Sequence, residues 1–414
     1  MQLKFLGGAQ EVGRSAIVLD AGRQQMLLDY GIKLNHKTEY PVEVPRAGAI
    51  VLSHAHLDHS GAVPVIYNNT FPPTVGTAPT LELSRLLLED SVGIAKKQHL
   101  QEHFHKRQIR SFQNRFVSLD YHESTSVNGF DVELFDAGHI SGSASALIEK
   151  NGRRIVYTGD FKLAKQRLHN GAEVVKSDVL ITESTYATRI HPEMRELTDR
   201  FIGEIRSVLD NGGTALLPVF AVGRSQEMLT ILYEHGLAGR TFLDGMARSA
   251  TSIVMRYPKF LERPELLSRA FEGTMHPAEH GGRSAALSEP AVIVTTAGML
   301  NGGPVLDYIT KLNKESHIFL TGYQVEGTNG RMLLDKGTVM AHGMLRKITT
   351  PVSYWDFSAH ADKNDLHEYI RMSEPQTVVC VHGDEESATQ LAESLKLDGY
   401  EAYAPKIGDT IDLK

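Results

Sequence analysis

Residues 49–59 read Ala49-Ile50-Val51-Leu52-Ser53-His54-Ala55-His56-Leu57-Asp58-His59, an apolar run passing directly into three imidazoles and a carboxylate. The first four residues have the composition of a buried strand, so the polar cluster falls where that strand runs out into a loop. His54 and His56 alternate, and alternate side chains of an extended backbone share a face. The two can therefore clamp one ion. Asp58 and His59 follow once a turn has begun and can serve a second ion beside the first. Imidazole nitrogen with carboxylate oxygen suits Zn²⁺ or its first-row neighbours. The competing reading is a polar loop with incidental histidines, and it must explain three of them within six residues at one strand end.

Two ions need more than four side chains. Asp136-Ala137-Gly138-His139, Val156-Tyr157-Thr158-Gly159-Asp160 and Val381-His382-Gly383 each set a metal-binding side chain beside glycine, just past an apolar run. A lone histidine at a strand end is usually a surface or packing residue. Here the arrangement recurs three times, and glycine lets the backbone approach a crowded site. His382 lies far beyond Asp160 in the chain. If both touch one metal pair, the intervening chain leaves the domain that holds them and later returns.

The bulk numbers agree with that organisation. At 414 residues the chain exceeds one average core, so two domains are expected. With 41% hydrophobic and 22% charged residues the composition is that of a soluble globular protein. A net charge of −7 does not mark a nucleic-acid binder, so any such binding must rest on a local basic surface. No eighteen apolar residues run together and no charged leader precedes an apolar stretch, so neither a membrane span nor a secretory signal is expected. The single cysteine, Cys380, excludes an internal disulfide framework and fits a reducing, cytoplasmic setting.

The first 60 residues read as short strands divided by turns: Leu3–Gly8, Ser15–Asp20 and Gln25–Gly31. Leu81 to about Arg115 reads as helix, and its part from Lys96 to Arg115 carries six lysines and arginines against one acid, Glu102. A solvated face is the simpler reading of that segment and an RNA track the bolder one. Strands return at Asp131–Phe135, Ala144–Glu149 and Arg154–Thr158. Beyond Glu183 the runs Gly213–Phe220, Ala291–Thr295 and His317–Leu320 each lead through a glycine-containing loop into a helical pattern, the signature of a parallel sheet. No glycine loop ends in Lys-Ser or Lys-Thr, so a P-loop is not supported. From about Lys347 strands resume, followed by a helix near Asp384–Leu397 and a last strand. The segment between about 188 and 347 thus reads as one domain inserted into another.

On these residues the chain resembles the metallo-β-lactamase superfamily, specifically its β-CASP branch of nucleases. Within the branch it is most similar to archaeal homologues of the pre-mRNA 3′-end cleavage and polyadenylation factor nuclease, with bacterial RNase J more distant. The likeness covers essentially the whole chain, and neither a KH region before it nor an RNase J-like extension after it is expected. The resemblance implies an α/β fold: an αββα sandwich over 1–187, an inserted parallel α/β (β-CASP) domain over 188–347, and the returning part of the sandwich over 348–414. It matches Asp29 to the superfamily's strand-end aspartate, and His54, His56, Asp58 and His59 to its metal signature. His139 matches the following histidine and Asp160 the bridging aspartate. The branch's extra motifs match Glu183 in Thr182-Glu183-Ser184-Thr185-Tyr186, His360 in Phe357-Ser358-Ala359-His360-Ala361-Asp362, and His382. Members that process DNA usually carry valine at the last motif, so His382 favours RNA.

By this likeness His54, His56 and His139 hold one Zn²⁺, and Asp58, His59 and His382 hold another. Asp160 bridges the two, with Mn²⁺ as an alternative metal, and Asp29 orients a ligand from behind. Water between the ions becomes hydroxide at neutral pH and attacks phosphorus, while His360, held by Glu183, is the expected acid for the leaving 3′ oxygen. The expected function is a zinc-dependent ribonuclease, endonuclease or 5′–3′ exonuclease, that leaves 5′-phosphate and 3′-hydroxyl ends. Arg224, Arg331, Ser358 and the Gly327-Thr328 backbone are the expected phosphate contacts. RNA is the expected partner, with a homodimer and RNA-processing or exosome-type assemblies implied by the likeness alone. The competing readings are a non-catalytic scaffold subunit, which would have lost metal ligands, and a DNA nuclease or small-ester or lactam hydrolase of the same superfamily.

Overall fold

The computed structural model describes residues 1–413 apart from 35, 36, 45 and 278–281. The chain forms two compact units: Met1–Ile190 with His360–Lys414, and His191–Ala359.

The first unit is built on two seven-stranded sheets. One runs in the order Thr410–Asp412, Gln2–Gly7, Ala16–Asp20, Gln25–Leu28, Ala49–Val51, Thr74–Gly76 and Phe116–Ser118. The other runs Glu401–Tyr403, Thr377–Val381, Val179–Glu183, Arg153–Tyr157, Ala144–Lys150, Phe130–Asp136 and Ser124–Val127. Strand alternation explains why the sheets stack. Ile17 and Leu19 point into a core shared with Ala146 and Ile148 of the other sheet, whereas Ala16 and Val18 point outward to Phe112 and Val92 under helices. The second sheet does the same, with Leu147, Val156 and Val378 facing Leu366, Tyr369 and Leu391 of the covering helices. Buried on both faces, these strands read as continuous apolar runs. Two sheets face to face with helices outside make the αββα sandwich.

The ends of the polypeptide complete both sheets. Thr410–Asp412 pairs with Gln2–Lys4 of the first strand, and Thr377–Val381 runs parallel to Val179–Glu183. That second pairing matters most, because it sets Val381 opposite Glu183 and so brings residues 183 and 382 side by side. It is locked by Ser184 Oγ donating to the Val381 carbonyl at 2.7 Å and Thr185 Oγ1 to the His382 carbonyl at 2.9 Å. Gly383 permits this approach, since a β-carbon there would run into the Ser184 side chain and backbone.

The second unit holds a five-stranded parallel sheet in the order Thr241–Asp244, Val292–Thr295, Ala215–Pro218, His317–Leu320 and Val352–Tyr354. Leu217 and Ala215 face one core with Phe201 and Met228, while Leu216 faces another with Ile293, Ile318 and Tyr308. This is the inserted α/β domain. Its sheet reaches past residue 347, because Val352–Tyr354 pairs with Ile318–Leu320 and its neighbours Trp355 and Phe357 enter the Phe201 core.

The expected helix from 81 to 115 is two helices, Ala78–Lys97 and Lys106–Asn114. His99 adopts a positive φ of 53°, which no helix continues through, and the His105 amide donates to Gln108 Oε1 at 3.1 Å to start the second helix. Among the described residues no helix is long and apolar enough to cross a membrane.

Candidate metal centre

Strand direction gathers the site. In the first sheet Gln25–Leu28 runs parallel to Ala49–Val51, delivering Asp29 and the Ser53–His59 loop to the same edge. In the second sheet Phe130–Asp136, Arg153–Tyr157, Val179–Glu183 and Thr377–Val381 all run one way, delivering His139, Asp160, Glu183 and His382. The short helix Leu57–Ser60 turns Asp58 and His59 back under His54 and His56.

The side chains converge in two sets that share Asp160: His54, His56 and His139 on one side, Asp58, His59 and His382 on the other. His54 Nε2 and His139 Nε2 each lie 3.2 Å from His56 Nδ1. Nitrogens bound tetrahedrally at about 2.0–2.1 Å from one zinc would stand roughly 3.3–3.4 Å apart, so this spacing fits a common ion. Asp160 Oδ2 faces that set, 3.6 Å from His54 Nε2 and 4.0 Å from His139 Nε2. Asp160 Oδ1 faces the other, 3.3 Å from His59 Nε2 and 3.6 Å from His382 Nε2, which is itself 3.7 Å from Asp58 Oδ2. Asp160 Oδ1, His59 Nε2 and His382 Nε2 are buried and make no hydrogen bond. Buried polar atoms without partners are costly, and three aimed at one point suit divalent cations.

The surroundings orient these donors. Asp29 lies at the bottom of the first sheet's edge with φ +55° and accepts from the Ser53 amide (2.7 Å), Ser53 Oγ (2.6 Å), Tyr157 Oη (2.7 Å) and His59 Nδ1 (2.6 Å). Binding His59 through Nδ1 leaves its Nε2 lone pair facing Asp160. Ser15 Oγ does the same for His382, 2.7 Å from Nδ1, and His382 adopts φ +48° with its amide donating to the Gly8 carbonyl. Glycine is required at two of the flanking positions. A β-carbon on Gly138 would lie 2.6 Å from the Lys162 carbonyl oxygen, and one on Gly159 would lie 2.6 Å from the Ser53 side chain.

Charge follows the same geometry. Burial pushes the Asp160 carboxyl up, but His382, His59 and His360 outweigh it and hold it well below the usual range. Burial pushes His59 down, and Asp160 and Asp29 overcome that to hold it well above an ordinary imidazole. His54, buried beside three other imidazoles, is depressed by that burial and by His59. The centre therefore favours an ionised Asp160 and a neutral His54, both forms that bind metal.

Beside the paired sets lies a third group. His360 Nδ1 stands 3.0 Å from Glu183 Oε2 and 3.9 Å from Asp160 Oδ2. The fully buried Glu183 also accepts the Phe161 amide at 2.8 Å. Burial lowers the His360 imidazole, yet the Glu183 and Asp160 carboxylates carry it up to about 9. Asp58, His56 and His360 are the partly exposed members of the cluster, so the site is reached past them.

The expected phosphate contacts belong to the second unit. Arg331 is exposed and paired with Asp335 through two nitrogens, each at 2.9 Å. Thr328 is buried and caps the helix Asn329–Lys336, its hydroxyl donating to the Val325 carbonyl at 2.6 Å. Gly327 takes φ +80° in the preceding turn, Arg224 opens the helix Arg224–Glu234, and Ser358 is buried.

Sequence reasoning missed four residues: Ser15, Ser53, Tyr157 and Lys162. Three of them adjoin the recognised motifs, but Ser15 carries no sequence signal. Lys162 is buried, with Nζ donating to the His360 carbonyl at 3.0 Å and 3.6 Å from Asp365 Oδ2. It thereby ties the Asp160 loop to the His360 loop. Lys162→Met is expected to lower the free energy of unfolding by about 1–3 kcal/mol, the cost of leaving a buried acceptor and a carboxylate without a donor. Urea titration measures this, and adding Asp365→Asn should restore part of the loss.

Comparisons with known proteins agree with this architecture. Residues 16–199 match the Beta-lactamase superfamily domain, 225–333 the Beta-Casp domain, and 347–405 the Zn-dependent metallo-hydrolase RNA specificity domain. The chain is 36% identical to "Probable RNase MJ4" of Methanocaldococcus jannaschii, over 99% of this chain and 100% of that protein. It is 34% identical to "RNase aCSPSF2" of Saccharolobus solfataricus, over 99% of this chain and 85% of that protein. It is 30% identical to "Transcription termination factor FttA" of Methanocaldococcus jannaschii, over all of this chain and 72% of that one. A crystal structure of a protein of unknown function from Enterococcus faecalis V583 shares the fold, with TM-score 0.61 and 15% identity over 100% of this chain and 99% of that one. Near-complete coverage at this identity, with the sandwich and its insert both present, shows that the chain belongs to the β-CASP branch of the metallo-β-lactamase superfamily.

Proposed function

We propose that the protein is a two-zinc ribonuclease that hydrolyses RNA phosphodiesters to 5′-phosphate and 3′-hydroxyl ends. The observation that carries this reading is the convergence of six side chains on one carboxylate, Asp160, with the His360–Glu183 pair alongside. The names of the archaeal relatives support RNA as the substrate. A scaffold role is disfavoured because no member of the donor set is missing.

In this reading His54, His56 and His139 would hold one divalent ion and Asp58, His59 and His382 the other, Asp160 would serve both, and Asp29 orients His59. When bound, the ion pair supplies Lewis acidity and ionises water near neutral pH. His360 donates a proton to the departing 3′ oxygen. Bound cations would claim Asp160's charge, and Glu183 is then the partner that keeps His360 cationic and fixes its ring. Arg224 and Arg331 guide phosphates, and Arg331 exchanges Asp335 for the RNA backbone. The proposal extends to a cytoplasmic homodimer, with the insert running on past the expected boundary at 347 to Ala359, because Val352–Tyr354 belongs to its sheet.

The test is to incubate the pure protein with 5′-labelled monophosphate and triphosphate RNAs, then size the products and analyse their ends. Attack by water needs no 2′-hydroxyl, so 5′-phosphate and 3′-hydroxyl termini are expected. Recovery of 2′,3′-cyclic phosphate would rule the reading out. Preference for the monophosphate would identify 5′-end cleavage, and internal fragments from both substrates would identify endonuclease action.

A further inference from the structure

We propose that the outward face made by the end of the helix Ala78–Lys97 and by the helix Lys106–Asn114 is a second RNA-binding surface, remote from the metal centre, which grips the backbone of long substrates. This rests on the ribonuclease reading and adds a separate contact to it.

The charge is local and only partly neutralised. Between Ser91 and Ser118 six lysines and arginines face one acid, in a chain whose net charge is −7. That acid, Glu102, is already engaged by His105 Nδ1 at 3.0 Å and by Lys96 Nζ at 4.0 Å, contacts that draw the two helices' ends together. Lys97 acts on Asp90, and Arg115 donates to the Phe71 carbonyl at 3.0 Å. Lys106, Arg107 and Arg110 are exposed and have no carboxylate within ion-pair distance among the described residues. Their helix turns Gln108, Ile109 and Phe112 inward, so the three cations share its solvent side. A merely solvated face normally intersperses both signs, which lowers self-repulsion. Three adjacent cations without a counter-charge suit a polyanion instead.

The neighbouring surface is suited to bases. The His103 ring lies 4.1 Å from that of Tyr40, tilted by 33°, and His99 and Leu100 are exposed beside it. Imidazole and apolar surfaces next to cations are what single-stranded RNA uses for stacking, and an acidic peptide has no need of them. Position separates this face from the catalytic centre. The helix Ala78–Lys97 begins at Thr77, whose hydroxyl donates at 2.7 Å to the Gly142 carbonyl in the loop that carries His139. Its 20 residues then extend about 30 Å before the basic face begins.

The experiment compares the metal-loaded wild type with the triple variant Lys106→Ala, Arg107→Ala, Arg110→Ala on a long unstructured RNA at several salt concentrations. The substitutions are on an exposed helix face and favour helix, so folding should survive. For the variant, kcat should stay within about twofold while KM rises about tenfold or more. The slope of log KM against log salt should become shallower by about 2, since each single-strand phosphate contact contributes roughly 0.7. Unchanged KM and slope would overturn the proposal and leave the ribonuclease reading standing. A wild type that cleaves no RNA would overturn both. Polyglutamate that inhibits the wild type as strongly as an equal charge of competing RNA would also overturn it, marking a docking face for acidic protein.

Discussion

Replacing Asp160 by alanine is expected to abolish cleavage, with a loss of at least about 10³-fold, and to lower the zinc content of the purified protein. Other losses at the site should be smaller, because among the described residues Asp160 is the one side chain that belongs to both donor sets. Oδ2 looks to His54 and His139, and Oδ1 to His59 and His382. Removing it leaves three imidazoles on one side, and two imidazoles with Asp58 on the other, without the shared negative charge that would help offset two dications. Removing even a single preorganised electrostatic contact costs about 10²–10³ in rate, and here the cations themselves are put at risk. Metal analysis of the variant beside the wild type is the check. Two ions per chain retained in the variant would refute the bridging role even if activity fell.

His360→Ala is expected to separate chemistry from metal binding. It should lose about 10²–10⁴-fold in kcat, the usual contribution of a positioned proton donor, while keeping the wild-type metal content. The imidazole sits 3.9 Å from Asp160 but directs Nδ1 at Glu183, so its loss leaves both donor sets whole. KM should change little, because the proton is transferred only in the transition state. Glu183→Gln provides a second reading of the same idea. The amide still accepts the Phe161 amide proton but no longer favours the imidazolium, so kcat should fall by less than in His360→Ala. A His360→Ala enzyme of full activity would remove His360 from the mechanism.

Ser53–His59 was legible because donor side chains of that density at the end of an apolar run have few uses other than metal. The strand–loop–helix rhythm beyond Glu183 was legible because a sheet covered on both faces demands continuous apolar strands, and the parallel sheet of the second unit has them. Val352–Tyr354 was not legible as part of that sheet. Three residues of partly exposed strand carry no periodicity, and only pairing with Ile318–Leu320 assigns them. The break at His99 was likewise hidden, because basic residues continue on both sides of it and the left-handed backbone has no glycine to announce it.

The order of residues settles which atoms are available: the imidazoles, carboxylates and glycines, the strands that end in them, and the family to which they point. How those atoms are aimed depends on long-range packing. Nothing local in the chain says that Ser15 holds His382, that Tyr157 and Ser53 hold Asp29, or that Lys162 joins two loops. Those contacts link residues far apart in sequence, and hydrogen bonds are short-ranged and directional. Their partners therefore exist only once both sheets have packed and the returning strand has seated beside Val179–Glu183.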